Sequence, residues 1–93
     1  MIETEPGVLA PRRKQLLYRA NHRGIKEMDI LLGGFARARI GELTDSELDR
    51  FEHLLDENDR DLLCWFTGER EAPQRIRCDV FEMVLAFQAD SLA

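Results

Sequence analysis

Cysteine and β-branched residues are scarce in this sequence, and each scarcity excludes something. The two cysteines, Cys64 and Cys78, form no Cys-x-x-Cys pair. A disulfide-framed scaffold and a zinc ribbon are therefore both out of reach, and the pair reads as free thiols in or near a core. No apolar run approaches the roughly 18 residues that span a bilayer, so direct membrane insertion is not expected. Valine, isoleucine and threonine are thinly spread, and no stretch alternates apolar with polar residues as a half-buried strand would. The opening MIETEPGVLAPRRK sets its acids first and has no apolar h-region, which argues against a secretory signal and a mitochondrial presequence. The expected compartment is the cytoplasm.

The sequence does hold enough apolar residues, 44% of 93, for one modest core and one small domain. The net charge of −5 is unevenly spread. Residues 12–40 hold eight bases (Arg12, Arg13, Lys14, Arg19, Arg23, Lys26, Arg37, Arg39) against Glu27 and Asp29, whereas residues 41–93 hold five bases against fourteen acids. Such polarity implies either two distinct surfaces or two halves that neutralise each other in the fold.

Apolar residues at helical spacing mark five segments. Residues 1–10, with Pro6 and Gly7 and no periodicity, read as a flexible tail ahead of a helical domain over 11–93. Pro11 opens a first helix over about 12–21, with Leu16, Leu17 and Ala20 inward. A second, about 25–39, carries Met28, Leu31, Leu32 and Phe35 as one stripe. Gly33 and Gly34 fall inside it, each costing about 1 kcal/mol against alanine, and imply a close neighbouring backbone or a kink. Thr44 and Glu47 have capping-box spacing and start a third helix, about 45–56, with Leu48, Phe51, Leu54 and Leu55 inward. Asn58 caps a fourth, about 59–67, which Gly68 ends. Pro73 opens a fifth, about 73–89, whose wide stripe (Ile76, Val80, Met83, Val84, Phe87, with Cys78, Phe81 and Leu85) marks it as the most buried. Phe51, Trp65 and Phe87 are the expected core anchors. The fold class is all-α, a compact single-domain bundle of about five short helices.

Little in this pattern speaks for chemistry. His22, His53, Cys64 and Cys78 are the soft metal ligands, and their spacings match no zinc site. No nucleophile elbow, zincin, Walker or dinucleotide motif is present. His22 and Glu27 make an imaginable acid–base pair, in a domain too small to enclose much. The basic first half suits phosphate, but no base-reading pattern follows the first turn, and Tyr18 is the one ring there that could stack.

One stretch, NHRGIKEMD at 21–29, asks for a reason. Gly24 suits an N-cap, and Glu27 would then be the third helical residue, reaching back to the cap amide while Asp29 adds to the favourable field. Arg23 stays unexplained, because a cation just before a helix N-terminus is disfavoured by a few tenths of a kcal/mol. An Arg-Gly corner flanked by His22 and Lys26 therefore reads as a surface kept for a partner, with Gly24 allowing close approach.

HRGIKEMDILLGGF resembles the RGxxE signature of the succinate dehydrogenase flavinylation factors, also called FAD assembly factors or SdhE. LDRFEHLLDENDRDLLCWFTG, at 48–68, resembles that family's second block, and the two blocks together cover about Tyr18 to Pro73. Gly34 departs from the pattern, where a larger residue is expected. The resemblance implies a compact five-helix bundle that is not itself an enzyme. It implies an assembly factor that binds the flavoprotein subunit of succinate dehydrogenase, in some organisms of fumarate reductase, and promotes covalent attachment of FAD there. Such a factor would hold no cofactor stably, acting on the FAD of its partner, and would work as a monomer. By residue match Arg23, Gly24 and Glu27 carry the signature, with His22, Lys26 and Asp29 beside it. On that reading Arg23 presents its cation outward and is removable without loss of stability. The acids Asp56, Glu57, Asp59 and Asp61 form a solvated face or a second contact. A general protein-interaction module without a flavin role, and a nucleic-acid-binding regulator, remain the alternatives.

Overall fold

The computed structural model describes residues 10–92, with side chains through Asp90; apart from Ala10, the expected tail lies outside the described residues. Five helices follow in order: α1 Pro11–Ala20, α2 Lys26–Arg39, α3 Asp45–Leu55, α4 Asp59–Thr67 and α5 Asp79–Leu92. None of them is long and apolar enough to cross a membrane.

Local chemistry sets most of these boundaries. Pro11 occupies the first turn of α1, where a missing N–H costs nothing. Thr44 and Glu47 close the capping box of α3: the Thr44 N–H donates to Glu47 Oε1 at 2.8 Å, and the Glu47 N–H to Thr44 Oγ1 at 3.2 Å. Asn58 Oδ1 accepts from the Arg60 N–H at 2.8 Å and starts α4. Gly68, at φ 83°, ends α4 in the left-handed region that glycine enters without strain. Gln88 of α5 then donates to the freed Phe66 carbonyl at 3.0 Å.

The last helix begins six residues later than the sequence pattern implies. Pro73 opens only one turn, its carbonyl accepting from the N–H groups of Ile76 (2.9 Å) and Arg77 (3.1 Å). The chain then breaks and restarts at Asp79, whose carboxylate accepts from the Val80 N–H at 2.7 Å. Arg50 of α3 grips that carboxylate through Nε (2.5 Å) and Nη2 (2.8 Å), which fixes where α5 starts. The same grip holds the Asp79 carboxyl below its usual range.

The core runs through all five helices, around Phe35, Phe51, Leu32, Leu62, Val80 and Val84. Phe35 meets Phe51 at 5.6 Å between ring centroids and takes Phe87 edge-on at 5.8 Å, while Phe66 stacks on Phe81 at 4.7 Å. Phe51 and Trp65 are buried as expected, whereas Phe87 is half-buried. The most buried helix is α2, with six buried residues from Met28 to Ala36, not α5. The α5 stripe is widened by residues that cover the core from outside: Met83, Leu85 and Phe87 pack against it only in part. Cys64 and Cys78 are half-buried free thiols.

The two glycines of α2 serve different neighbours. A Cβ on Gly33 would lie 2.5 Å from Asn21 Oδ1 and 3.4 Å from the Ala20 carbonyl, so glycine is what lets the end of α1 seat on α2. A Cβ on Gly34 would meet the Phe87 ring at 3.4 Å, an ordinary contact. Gly34→Ala should therefore raise stability by about 1 kcal/mol through helix propensity and ring contact. Gly33→Ala should lower it, because Asn21 must leave its bonds to Leu17 and Arg37. Thermal melting of the two variants checks both signs.

Candidate functional site: the Arg23–Gly24 corner

The charge polarity of the sequence is resolved in part inside the fold, where four of the eight bases of residues 12–40 meet acids of the second half. Arg12 of α1 pairs with Asp49 (2.5 Å) and Glu52 (3.1 Å) of α3, and Arg19 with Asp56 (2.6 Å). The acids expected to form a solvated face are mostly paired: besides Asp56, Glu57 meets Arg75 and Asp61 meets Arg70, each at 2.8 Å. The halves neutralise each other along the α1–α3 seam, and the seam ends at the corner between α1 and α2.

There Arg23 turns inward, contrary to the outward cation expected of a partner surface. Its side chain is only 9% exposed. Nε donates to Asp59 Oδ1 at 2.8 Å, Nη1 to the Leu55 carbonyl at 2.7 Å and Nη2 to the Glu57 carbonyl at 3.1 Å, with Nη2 also 2.7 Å from Asp59 Oδ1. The physical reason lies in the α3–α4 turn. The last carbonyls of α3 have no partner within their own helix and carry the negative end of its dipole. Asp59, the first residue of α4, is held at that helix's positive end. A guanidinium fits between them because its planar fork serves three acceptors at once. The cation disfavoured at the start of α2 is thus favoured at the end of α3.

Gly24 belongs to the same latch. Its N–H donates to Asp59 Oδ2 at 2.6 Å, and a Cβ there would lie 3.3 Å from that oxygen. Glycine lets the Asp59 carboxylate close over the backbone. The N-cap expected at Gly24 is instead Ile25, whose side chain makes no capping bond. Glu27 is consequently the second helical residue and does not reach back; Asp29 does, accepting from the Arg23 N–H. With the backbone already tied, Glu27 and Lys26 stay exposed, and neither makes an ion pair or side-chain hydrogen bond among the described residues. His22 is exposed too, its ring stacked on Tyr18 at 3.8 Å and its Nδ1 2.7 Å from the Tyr18 carbonyl. A carbonyl only accepts, so Nδ1 carries the proton and Nε2 is left for another group.

Of the six residues singled out in the sequence, Arg23, Gly24 and Asp29 therefore form one internal latch, and His22, Lys26 and Glu27 surround it on the surface. Asp59, expected on a solvated acidic face or second contact, is instead the latch's remaining member. It is only 16% exposed. It lies 36 residues from Arg23, so no local signal in the sequence joined the two.

Residues 14–88 match a family model described as flavinator of succinate dehydrogenase. The chain is 36% identical over 83 residues to succinate dehydrogenase assembly factor 2, mitochondrial, of Dictyostelium discoideum, covering 89% of this chain and 59% of that protein. It is 44% identical over 66 residues to FAD assembly factor SdhE of Acetobacter pasteurianus, covering 71% and 61%. With the Schizosaccharomyces pombe assembly factor 2 it shares 44% over 73 residues, covering 78% and 50%. The chain thus spans about half to three-fifths of these relatives' length.

Arg23→Ala should destabilise the isolated chain by about 3 kcal/mol, because it strands the Asp59 charge and two carbonyls. Arg23→Lys should recover less than half, since an ammonium has no fork to span them. Denaturant unfolding measures both; an unchanged midpoint for Arg23→Ala would return Arg23 to the surface.

Proposed function

The chain belongs to the succinate dehydrogenase flavinator family, and from that premise we propose that it is an assembly factor for a flavoprotein, not an enzyme. It binds the flavoprotein subunit of succinate dehydrogenase and promotes covalent attachment of FAD to that subunit; the flavoprotein of fumarate reductase is a second candidate client. The FAD is the partner's. This chain holds none stably and acts as a monomer in the cytoplasm.

The observation that carries the reading is the latched corner. Arg23 and Gly24 of the signature, with the neighbouring Asp29, are consumed internally, and their bonds fix the backbone turn from which Glu27, His22 and Lys26 stand exposed. A surface ordered before binding loses less entropy on docking. It can then favour one conformer of its partner by binding that conformer more tightly than others. Attaching a flavin requires the acceptor side chain to be held against the ring, which the partner's own site can do once its arrangement is fixed. Glu27, a carboxylate beside Lys26, suits a basic or hydrogen-bond-donating group of the partner. The pairing of Arg12, Arg19 and Arg23 with carboxylates supports a protein partner over a phosphate backbone.

Co-expression with the flavoprotein subunit, read by in-gel fluorescence of covalent flavin, tests this. The wild-type chain should raise the labelled fraction well above that of the subunit alone. Glu27→Gln should lower it at an unchanged melting temperature, because Glu27 has no part in the latch. Equal labelling with and without the chain would refute the proposal.

A further inference from the structure

Two large apolar side chains stand exposed among the described residues, Tyr18 at 63% and Ile30 at 62%. Both flank the corner, and the helix geometry explains how. On α1, Leu16 and Ala20 point into the core, and Arg12 and Arg19 reach α3. Arg13 reaches the Ile40 carbonyl and Asn21 reaches Arg37, both at the far end of α2. Tyr18 is left on the solvent side, together with Lys14. On α2, Gly33 and Arg37 meet Asn21, and Ile30 and Lys26 continue the same stripe toward the helix start. Tyr18 and Ile30 each lie one turn from the contact of Asn21 with Gly33. His22 covers one face of the Tyr18 ring and leaves the other open.

The charges around this pair differ from those elsewhere. Arg12, Arg19, Arg23, Arg39, Arg50, Arg70, Arg75 and Arg77 each have a carboxylate within ion-pair distance. Five cations have none among the described residues: Arg13, which donates to the Ile40 carbonyl, Arg60, exposed on α4, and Lys14, Lys26 and Arg37, which are exposed on α1 and α2. In a chain of net charge −5, three of these five cations stand beside its exposed apolar side chains. An apolar centre with a charged rim is the anatomy of a protein interface.

We infer that the α1–α2 face, centred on Tyr18 and Ile30 and rimmed by Lys14, Lys26 and Arg37, docks the flavoprotein subunit through an apolar patch edged with carboxylates. This inference rests on the function proposed above and extends the contact beyond the corner. The partner's carboxylates meet Lys14, Lys26 and Arg37, and its apolar patch covers the open face of Tyr18 and the Ile30 side chain. Such a rim governs the association rate and its salt dependence, and the centre governs the dissociation rate.

The test is binding of the full chain to purified flavoprotein subunit at low and high salt, with melting of every variant. Tyr18→Ser and Ile30→Ser should each weaken binding at least tenfold without lowering the melting temperature. Lys26→Glu should slow association several-fold at low salt and much less at high salt. It keeps the fold, because an acid in the first turn of a helix is favourable. If the wild type binds and all three variants bind within twofold of it, the docking face is wrong while the proposed function stands. Failure of the wild type to bind would refute both. Self-association of the wild type that Ile30→Ser abolishes, with flavoprotein binding unchanged, would make a second copy the occupant and overturn the inference.

Discussion

One guanidinium ties this molecule's two signature segments together. Arg23 enters from the turn after α1 and ends among the carbonyls of Leu55 and Glu57 and the carboxylate of Asp59. These acceptors would otherwise lie half-buried and unmatched, at the negative end of one helix and the first turn of the next. Removing a hydrogen-bonded, desolvated cation of this kind strands its partners, and that asymmetry makes the site stiff. The position of α2 against α4, and with it the exposed corner, depends on this contact.

What the latch supports is a surface made rigid from within. The Gly24 amide and the Arg23 amide are both held by carboxylates, Asp59 from α4 and Asp29 from α2. Asn21 and His22 return bonds to the Leu17 and Tyr18 carbonyls at the end of α1. The corner is thus tied on each side without using Lys26 or Glu27. In a protein of 93 residues such economy separates the groups that hold the fold from those that meet a partner. The α1–α3 ion pairs contribute less per pair, because they are exposed and screened. Their effect is on charge distribution: they engage two of the four bases of α1 and leave Lys14 exposed on the same side as Lys26 and Arg37 of α2.

Much of the fold was legible because it is local. Capping by Thr44 and Asn58, the stop at Gly68 and the α2 stripe depend on residues three to seven apart, and the structure keeps them. The start of α5 was not legible, since it is set by Arg50, distant in sequence, gripping Asp79. Phe87 was overrated because periodicity reports which face is inward, not how deep it lies. The site residues were legible by their pattern, and their division of labour was not. Arg23 looked like a surface cation because no local partner explained it; its partners lie 32 to 36 residues away, across a turn between two other helices. The glycine looked like an opening for a foreign group, and it admits the chain's own Asp59.

The central claim is that Arg23 and Asp59 act on each other before any partner arrives. A double-mutant cycle on unfolding of the isolated chain, with Arg23→Ala, Asp59→Ala and the pair, measures that directly. The account predicts a coupling of about 2 kcal/mol, within the range for residues sharing one hydrogen-bonded network. Additive single effects, with coupling below about 0.5 kcal/mol, would mean that Arg23 is held by something else, and the latch would be contradicted.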